Sequence, residues 1–284
     1  MRLPPIAVVL LSALVGACGA GVSGGVPAAR SAGAAPGGAD AEARLAAAPR
    51  HGEWAMVPAG AGDSVRAWVV FPERAERAPV VVVVHEIFGL THWVRAVADQ
   101  LAADGFVAIA PDFLTGADVP TAANGEPERD PAVAATRALD AGDVHRRVEA
   151  AAAYAMGLPA ALPTYGVVGY CWGGTVAFEH AVRAPERLGA SVVYYGSSPA
   201  TPTLASVQAP VLGLYGENDA RVNATIAPAD SAMRARGQVF EHHVFRGAGH
   251  GFLRAQDGQE GANLEAARAA WPLTVRWFRT HLGG

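Results

Sequence analysis

Five consecutive valines, Val80 to Val84, constrain the fold more than any other stretch of this chain. A strand whose side chains are all apolar must be buried on both faces, and such strands belong to parallel sheets that helices cover. Further apolar runs at Phe106 to Ala110, Ser191 to Tyr195 and Val211 to Tyr215 alternate with amphipathic segments. The sequence therefore predicts a doubly wound, mostly parallel α/β sheet with helices on both faces and functional loops at the strands' carboxyl ends.

Shorter patterns place the remaining elements around that strand. Two β-like runs, Trp54 to Val57 and Val65 to Phe71, are separated by glycines and alanines and predict a hairpin. Two more strands are expected at Tyr165 to Val168 and Val239 to Phe245. Apolar periodicity and end signals predict helices over Thr91 to Asp104, Asp143 to Met156, Thr175 to Arg183, Pro228 to Arg236 and Gly261 to His281.

The composition narrows the function classes. The chain has 284 residues, of which 51% are hydrophobic and 17% charged, so it can bury a large core. Its net charge of -4 gives no reason to expect nucleic acid as a partner. All 22 basic residues are arginines, and the absence of lysine excludes mechanisms that need a Schiff base or a P-loop lysine.

The amino terminus has the three-part layout of a secretory signal peptide. Arg2 gives a cationic start, Ile6 to Val15 is apolar but too short to span a bilayer, and small residues follow. Residues 1–17 are therefore expected to be a signal peptide. The tetrapeptide VGAC at 15–18 resembles a bacterial lipobox, which implies lipidation of Cys18 and a periplasmic or other extracytoplasmic, membrane-anchored location. Ordinary cleavage without lipidation is the alternative.

A linker and one folded domain are expected after this segment. Residues 18–50 are rich in Gly, Ala, Ser and Pro and lack aromatic residues, which predicts a flexible tether. The catalytic or binding domain is expected over residues 51–284, with no internal repeat. We expect a monomer whose only attachment to a membrane is the lipid on Cys18.

Cys171 lies in a motif that favours catalysis over simple packing. The chain has two cysteines, and one of them is in the export signal, so a structural disulfide is not expected. Cys171 is the centre of GYCWGG at 169–174, a G-x-nucleophile-x-G elbow between an apolar strand and a helix. The amino end of that helix favours a thiolate. Without the flanking glycines, a buried core cysteine would be the ordinary interpretation.

An elbow nucleophile requires a carboxylate and then a histidine, each on the loop after a later strand. Asp219 follows the strand at Val211 to Tyr215, and His250 follows the strand at Val239 to Phe245. We predict that His250 handles the thiol proton and that Asp219 orients the imidazole. Glu217 could orient the imidazole instead, although an exposed loop charge is its ordinary role.

The other histidines near this strand do not predict a metal site. His242 and His243 precede His250, but adjacent strand residues point to opposite faces of a sheet. No convergent set of acidic ligands accompanies them, so no metal is expected.

The valine strand ends in HEIFGL at 85–90, which puts an acidic residue at the carboxyl edge of a buried strand. In a purely structural role, Glu86 would be a partner for the amino terminus of the next helix. In an α/β-hydrolase this loop supplies one N–H of the oxyanion hole, which would place Glu86 beside the nucleophile. The N–H groups of Ile87 and Trp172 are then expected to stabilise the oxyanion.

Four patches resemble the dienelactone hydrolases, or carboxymethylenebutenolidases, which have the α/β-hydrolase fold. They are HEIFGL at 85–90, GYCWGG at 169–174, YGENDARV at 215–222 and GAGHGF at 247–252. The resemblance implies a triad of Cys171, His250 and Asp219, hydrolysis of a small ester or lactone through a thioester, and no cofactor. It also implies that Glu86 pairs with the thiol in the resting enzyme and releases a thiolate when substrate binds.

The resemblance further implies that Arg254 binds the substrate carboxylate, with a surface role as the ordinary alternative. Family members that act on dienelactone carry a second arginine soon after the proline and aspartate that close the fourth strand, and PDFLTG at 111–116 has none. Residues 117–142, which could form a lid, are acidic and would disfavour a doubly charged substrate. A broader carboxylesterase for neutral aryl or alkyl esters is therefore the nearest alternative.

A non-catalytic lipoprotein that binds a small ligand is the alternative from another class. A degenerate relative usually loses part of its catalytic constellation, whereas this chain keeps the nucleophile, the acid, the base and the extra carboxylate. A thiol redox role is disfavoured because the chain offers no resolving cysteine.

Overall fold

The structure, a computed structural model, describes Met1 and residues 33–283. The expected lipidation site Cys18, and the expected signal peptide apart from Met1, lie outside the described residues. The strands are β1 (Gly52–Gly60), β2 (Asp63–Val70), β3 (Ala78–Val84), β4 (Val107–Pro111), β5 (Ala161–Tyr170), β6 (Leu188–Tyr194), β7 (Val211–Asn218) and β8 (Phe240–Gly249). The α-helices are α1 (Ala41–Ala47), α2 (His92–Ala103), α3 (Arg129–Ala138), α4 (Ala141–Met156), α5 (Trp172–Val182), α6 (Ala220–Asn223), α7 (Ile226–Arg234) and α8 (Ala262–Leu282). Within residues 33–283 no helix combines the length and the apolar character needed to cross a bilayer.

The eight strands form one sheet in the order β1-β2-β4-β3-β5-β6-β7-β8. β1 and β2 form the expected hairpin, and β2 also pairs antiparallel with β4. From β4 to β8 each neighbouring pair is parallel. The carboxyl ends of these strands therefore lie along one edge, where their loops can bring distant residues together.

The valines of β3 show why helices cover both faces of the sheet. β3 is buried at every position. Val80, Val82 and Val84 belong to the core beneath α4, α5 and α7, whereas Val81 and Val83 belong to the core beneath α2 and α8. Each fully buried valine contributes about 1.5–3 kcal/mol relative to exposure, so both faces must be covered. The predicted doubly wound α/β sheet is confirmed.

Helices α3 and α5 differ from the sequence prediction, and α1 and the short α6 are not predicted at all. Helix α3 lies within residues 117–142, where a loop or lid is expected. Its buried residues are Ala132 and Thr136, and its composition is polar on average, so the segment resembles a loop although its few apolar residues share one face. Helix α5 begins at Trp172 rather than at Thr175, because the elbow turns directly into the helix.

Residues 33–50 contradict the flexible tether predicted over residues 18–50. They include α1 and pack against α2, and Pro36 is buried. The carbonyl oxygen of Pro36 accepts a hydrogen bond from the indole N–H of Trp93 at 3.0 Å. Small side chains let this backbone approach the body closely enough to form hydrogen bonds. The same small residues, judged by composition alone, are typical of a flexible linker. The folded body therefore begins before residue 51, and we call residues 33–50 the amino-terminal strap.

Candidate active site

Cys171 occupies a strained turn between β5 and α5. Its φ of 57° and ψ of -114° lie outside the regions that L-residues prefer, as expected for the nucleophile of an elbow. A Cβ on Gly169 would lie 1.8 Å from the carbonyl oxygen of Gly173, and one on Gly173 would lie 2.4 Å from that of His85. A side chain at either glycine would therefore push the turn apart.

The three residues of the expected triad meet at the carboxyl edge of the sheet. His250 Nε2 lies 3.0 Å from Cys171 Sγ, and His250 Nδ1 lies 2.5 Å from Asp219 Oδ2. The three side chains follow β5, β7 and β8. Because these strands are parallel, their carboxyl ends bring together Cys171 and His250, which are 79 residues apart, and Asp219 and His250, which are 31 residues apart.

The partners of His250 fix its tautomer. The Asp219 carboxylate can only accept, so Nδ1 carries the proton and donates it to Oδ2. Nε2 is then the acceptor, and the Cys171 thiol donates to it. Burial raises the pKa of the thiol to about 11, and the charge of Glu86 adds to this rise against the opposing N–H of Trp172. The resting nucleophile is therefore a protonated thiol that faces its base.

Asp219 and Glu217 have different roles. Asp219 is 8% exposed and contacts His250 through Oδ2. Glu217 is exposed, and its Oε2 accepts a hydrogen bond from the N–H of Gly247 at 2.9 Å. This bond ties the end of β7 to β8 shortly before His250. Glu217 therefore braces the strand ends and does not orient the imidazole.

Glu86 pairs with Arg254 and not with the thiol. Its side chain is 3% exposed, and Oε2 accepts a hydrogen bond from Arg254 Nε at 2.6 Å. The expected resting pair of Glu86 and Cys171 is therefore wrong for this arrangement, in which the thiol donates to His250. Burial raises the pKa of Glu86, and the Arg254 cation opposes that rise. A buried carboxylate needs a compensating charge, which the guanidinium supplies and a thiol does not.

The two N–H groups expected in the oxyanion hole lie on loops of adjacent strands, β3 and β5. Ile87 follows Glu86 after β3, and Trp172 begins α5, where its N–H has no partner within the helix. His85, to which the sequence analysis assigns no role, stabilises the loop after β3. Its Nδ1 donates to the carbonyl oxygen of Glu86 at 2.6 Å, and its Nε2 accepts from the N–H of Phe113 at 3.3 Å. Burial lowers the pKa of His85, so the neutral ring keeps both roles.

A second arginine reaches the site from α3. The Arg129 guanidinium lies 4.0 Å from the centroid of the Phe88 ring, and the Arg254 guanidinium lies 5.2 Å from the same centroid. Both cations oppose the rise in the pKa of Glu86. Residues 111–116 carry no arginine, whereas Arg129 supplies a cation to the site from α3.

Two acidic residues of the segment 117–142 accept hydrogen bonds from backbone N–H groups at helix ends. Glu126 Oε1 accepts the backbone N–H of His92 at 2.6 Å, at the amino end of α2. Asp140 caps α4 by accepting the N–H of Asp143 at 3.0 Å. Residues 117–127 help to line a cavity of about 470 Å³ to which Cys171 does not contribute. The expectation that the acidity of the segment disfavours a doubly charged substrate stays a prediction.

Tyr195 is a site residue that no motif reveals. It follows β6 with a φ of 40° and is fully buried. Its ring centroid lies 5.1 Å from that of His250 and 5.4 Å from that of Phe252. These contacts restrict the plane of the imidazole. Its position at the carboxyl end of a buried parallel strand is the signal that could have found it.

The histidines of β8 contact neighbouring side chains on the same strand. His242 packs against Phe240, and His243 Nε2 lies 2.8 Å from Glu241 Oε1. Among residues 33–283 no group of three or more His, Cys, Asp or Glu side chains is arranged to hold a metal ion.

Comparisons with known proteins place this chain in a family. The model of the dienelactone hydrolase family matches residues 65–282. A Salmonella typhimurium protein, provisionally named a carboxymethylenebutenolidase, is 30% identical over 250 residues, which cover 78% of this chain and 85% of that protein. A Methylorubrum extorquens protein with the same provisional name is 32% identical over 230 residues, which cover 76% of this chain and 77% of that protein. A crystal structure from Klebsiella pneumoniae, provisionally described as a dienelactone hydrolase, has a TM-score of 0.67 and 26% identity, covering 81% of this chain and 98% of that chain. Since the match spans most of the folded body, the chain belongs to the dienelactone hydrolase family, whose members have the α/β-hydrolase fold and hydrolyse lactone or ester substrates.

Proposed function

We propose that this protein hydrolyses a small carboxylic ester or lactone with Cys171 as the nucleophile. The observation that carries the proposal is the hydrogen-bonded line from Asp219 through His250 to Cys171, with distances of 2.5 and 3.0 Å. A nucleophile on an elbow, next to a base that a carboxylate orients, is the arrangement that acyl transfer needs. Membership of the dienelactone hydrolase family supports the same reaction class.

Acylation begins when the sulfur of Cys171 attacks the carbonyl carbon of the ester while His250 Nε2 takes the thiol proton. Coupling the two events avoids a free thiolate, which a pKa of about 11 makes scarce at neutral pH. The N–H groups of Ile87 and Trp172 stabilise the oxyanion. When the C–O bond breaks, His250 returns the proton to the leaving alkoxide, and Cys171 carries the acyl group as a thioester.

Deacylation uses the same groups with water. His250 takes a proton from water, the resulting hydroxide attacks the thioester carbon, and the C–S bond breaks. The proton passes to the sulfur, so the products are a carboxylic acid and the original thiol. Asp219 keeps Nδ1 of His250 protonated in both half-reactions.

Two cations beside Phe88 support a substrate that carries a carboxylate. Arg254 already shares its charge with Glu86, whereas Arg129 is exposed and forms no ion pair among the residues that the structure describes. A free guanidinium next to a partly paired one favours an anion at the site mouth. We therefore assign an anionic ester or lactone as the substrate class, in preference to neutral aryl or alkyl esters.

A paired assay tests this function. The purified protein and its Cys171→Ala variant are compared on dienelactone, which carries a carboxylate, and on neutral 4-nitrophenyl acetate. We expect turnover of both esters that depends on Cys171, with the larger kcat/KM for dienelactone. Circular dichroism confirms that the variant is folded.

The other outcomes of this assay separate the alternatives. Turnover of 4-nitrophenyl acetate alone would favour a broad carboxylesterase. Turnover of neither ester by folded, reduced protein would favour a non-catalytic binding protein. Hydrolysis that persists in Cys171→Ala would contradict the role of Cys171.

We also propose that the protein is exported and anchored through a lipid on Cys18. The apolar segment at 6–15 and the tetrapeptide VGAC at 15–18 support this location. The mass of the mature amino terminus tests it. A diacylated cysteine is the expected result, and an unmodified residue there would contradict the anchor.

A further inference from the structure

The amino-terminal strap reaches the loop that carries Arg254. The N–H of Gly38 donates to the carbonyl oxygen of Arg254 at 2.8 Å, and Gln256 Nε2 donates to that of Ala35 at 3.2 Å. A Cβ on Gly38 would lie 3.0 Å from Arg254 Cγ, so this close approach depends on the absence of a side chain. The strap is therefore bonded to both ends of the turn at 254–256.

Two core helices give the strap a fixed base. Trp93 of α2 is 3% exposed, and its Nε1 donates to the carbonyl oxygen of Pro36 at 3.0 Å. The N–H of Gly33 donates to Asp104 Oδ1 at 2.9 Å, and Asp104 Oδ2 accepts from Nε1 of Trp271 in α8 at 2.9 Å. Because Trp93, Asp104 and Trp271 are buried, the strap is attached to the core and not to mobile surface side chains.

Arg254 connects the strap to the site. Its backbone is bonded to Gly38, while its Nε donates to Glu86 at 2.6 Å and its guanidinium lies 5.2 Å from the Phe88 ring. A shift of the loop would therefore move the cation that faces the substrate.

We propose that the strap positions Arg254 and thereby sets the preference for anionic over neutral esters. Trp93 bonds to Pro36 and is a positioning residue that we expect to act on Arg254 through the strap, and its ring also packs against Tyr170, next to the nucleophile, with the centroids 5.0 Å apart. The kinetic consequence rests on the proposed function, whereas the structural one does not. The strap precedes residues 65–282, the part of the chain that the family model matches.

Hydrogen–deuterium exchange on the full chain tests the structural consequence. The substitution Trp93→Phe removes the N–H that Pro36 accepts and keeps an aromatic ring in the core. The amides of residues 251–258 are expected to exchange about three- to tenfold faster, as the loss of one hydrogen bond predicts. Trp277→Phe is the matched control, because the buried Nε1 of Trp277 has no partner among the described residues. Unchanged exchange at 251–258 in Trp93→Phe overturns the proposal.

A chain that lacks residues 33–48 removes the strap contacts together. Exchange at 251–258 is then expected to rise more than about tenfold. If circular dichroism shows that the deletion prevents folding, the comparison of Trp93→Phe with Trp277→Phe decides the question.

Steady-state kinetics tests the consequence for specificity. Trp93→Phe is expected to raise KM for dienelactone about threefold, while kcat and the KM for 4-nitrophenyl acetate stay unchanged. An equal loss on both esters would mean that the strap only stabilises the fold, and it overturns the specificity role. If the unmodified protein hydrolyses neither ester, the proposed function fails, and exchange at 251–258 still decides whether the strap positions the loop.

Discussion

In the catalytic half of the site three strands each deliver one side chain, whereas in the recognition half the side chains come from loops and from helix α3. The catalytic half consists of Cys171, Asp219 and His250, which follow β5, β7 and β8. A parallel sheet with a core on each face fixes where these strands end, so their relative positions follow from the fold.

The recognition half consists of Glu86, Phe88, Arg129 and Arg254. Its contacts are an ion pair of 2.6 Å between Glu86 and Arg254 and the two guanidinium groups beside the ring of Phe88. Loops and a polar helix hold these residues, and none of the contacts is required by the sheet. The difference teaches that the sheet fixes the geometry of the catalytic half, while the recognition half depends on individual side-chain contacts outside the sheet.

The largest effect is expected in the catalytic half. His250→Ala removes the base that faces the thiol at 3.0 Å, and kcat should fall by about a thousandfold or more. Steady-state hydrolysis measures the loss. His243→Ala is the control, because His243 faces Glu241 on the same strand. Comparable losses in the two variants would contradict the assignment.

Glu86 connects the two halves through its charge on the thiol. The Glu86 carboxylate raises the pKa of Cys171 and the Arg254 cation lowers it, so Glu86→Gln should lower the pKa from about 11. Alkylation by iodoacetamide at about pH 8 should then be about three- to tenfold faster, because the thiolate is the reactive form.

The pH profile of alkylation supplies the control for this prediction. Glu217→Gln neutralises an exposed carboxylate that bonds to Gly247, and it should leave the midpoint of the profile in place. A midpoint that stays or rises in Glu86→Gln would show that the two halves are not coupled through this charge.

A smaller effect is expected at Arg129. Arg129→Gln removes an exposed cation beside Phe88, and KM for an anionic ester should rise about two- to fivefold while KM for a neutral ester is unchanged. Arg137→Gln makes the same charge change on the same helix, and it is expected to have no effect. Equal results for the two variants would remove Arg129 from the recognition half.

The smallest effect is expected at Glu217, which bonds to the N–H of Gly247 and so connects the ends of β7 and β8. Glu217→Ala removes the acceptor for the N–H of Gly247, and kcat should fall less than about fivefold, since one exposed hydrogen bond is lost. The same assay on Asp219→Ala should show a far larger fall. A large loss in Glu217→Ala would mean that the orienting acid is wrongly assigned.

The catalytic half could be predicted from the sequence because each of its residues lies in a short motif just after a predicted strand. GYCWGG at 169–174 and GAGHGF at 247–252 carry local turn chemistry, and chain order supplies the rest. The same reasoning anticipated the sheet from the valines of β3. Local patterns suffice here because the fold converts chain order directly into spatial order.

The recognition half could not be predicted in the same way. Glu86 and Arg254 are 168 residues apart, and each has other plausible partners in the thiol and the substrate. Arg129 lies at the start of a helix that is polar on average, so the segment resembles a charged loop and nothing in it indicates which side chain faces the site. The strap looks flexible in composition because its order comes from its backbone groups, such as the carbonyl of Pro36, and not from its side chains.

The protonated state of Cys171 bears on how long the enzyme survives oxidants. Peroxides attack thiolates far faster than thiols, and burial, which raises the pKa of Cys171 to about 11, favours the thiol at neutral pH. Cys171 is the free cysteine of residues 33–283, so a sulfenic acid formed there would find no second thiol in this part of the chain to rescue it as a disulfide. Burial therefore favours the less oxidisable form of the sulfur between turnovers, and we expect the sulfur to react when a bound carbonyl and His250 act on it together.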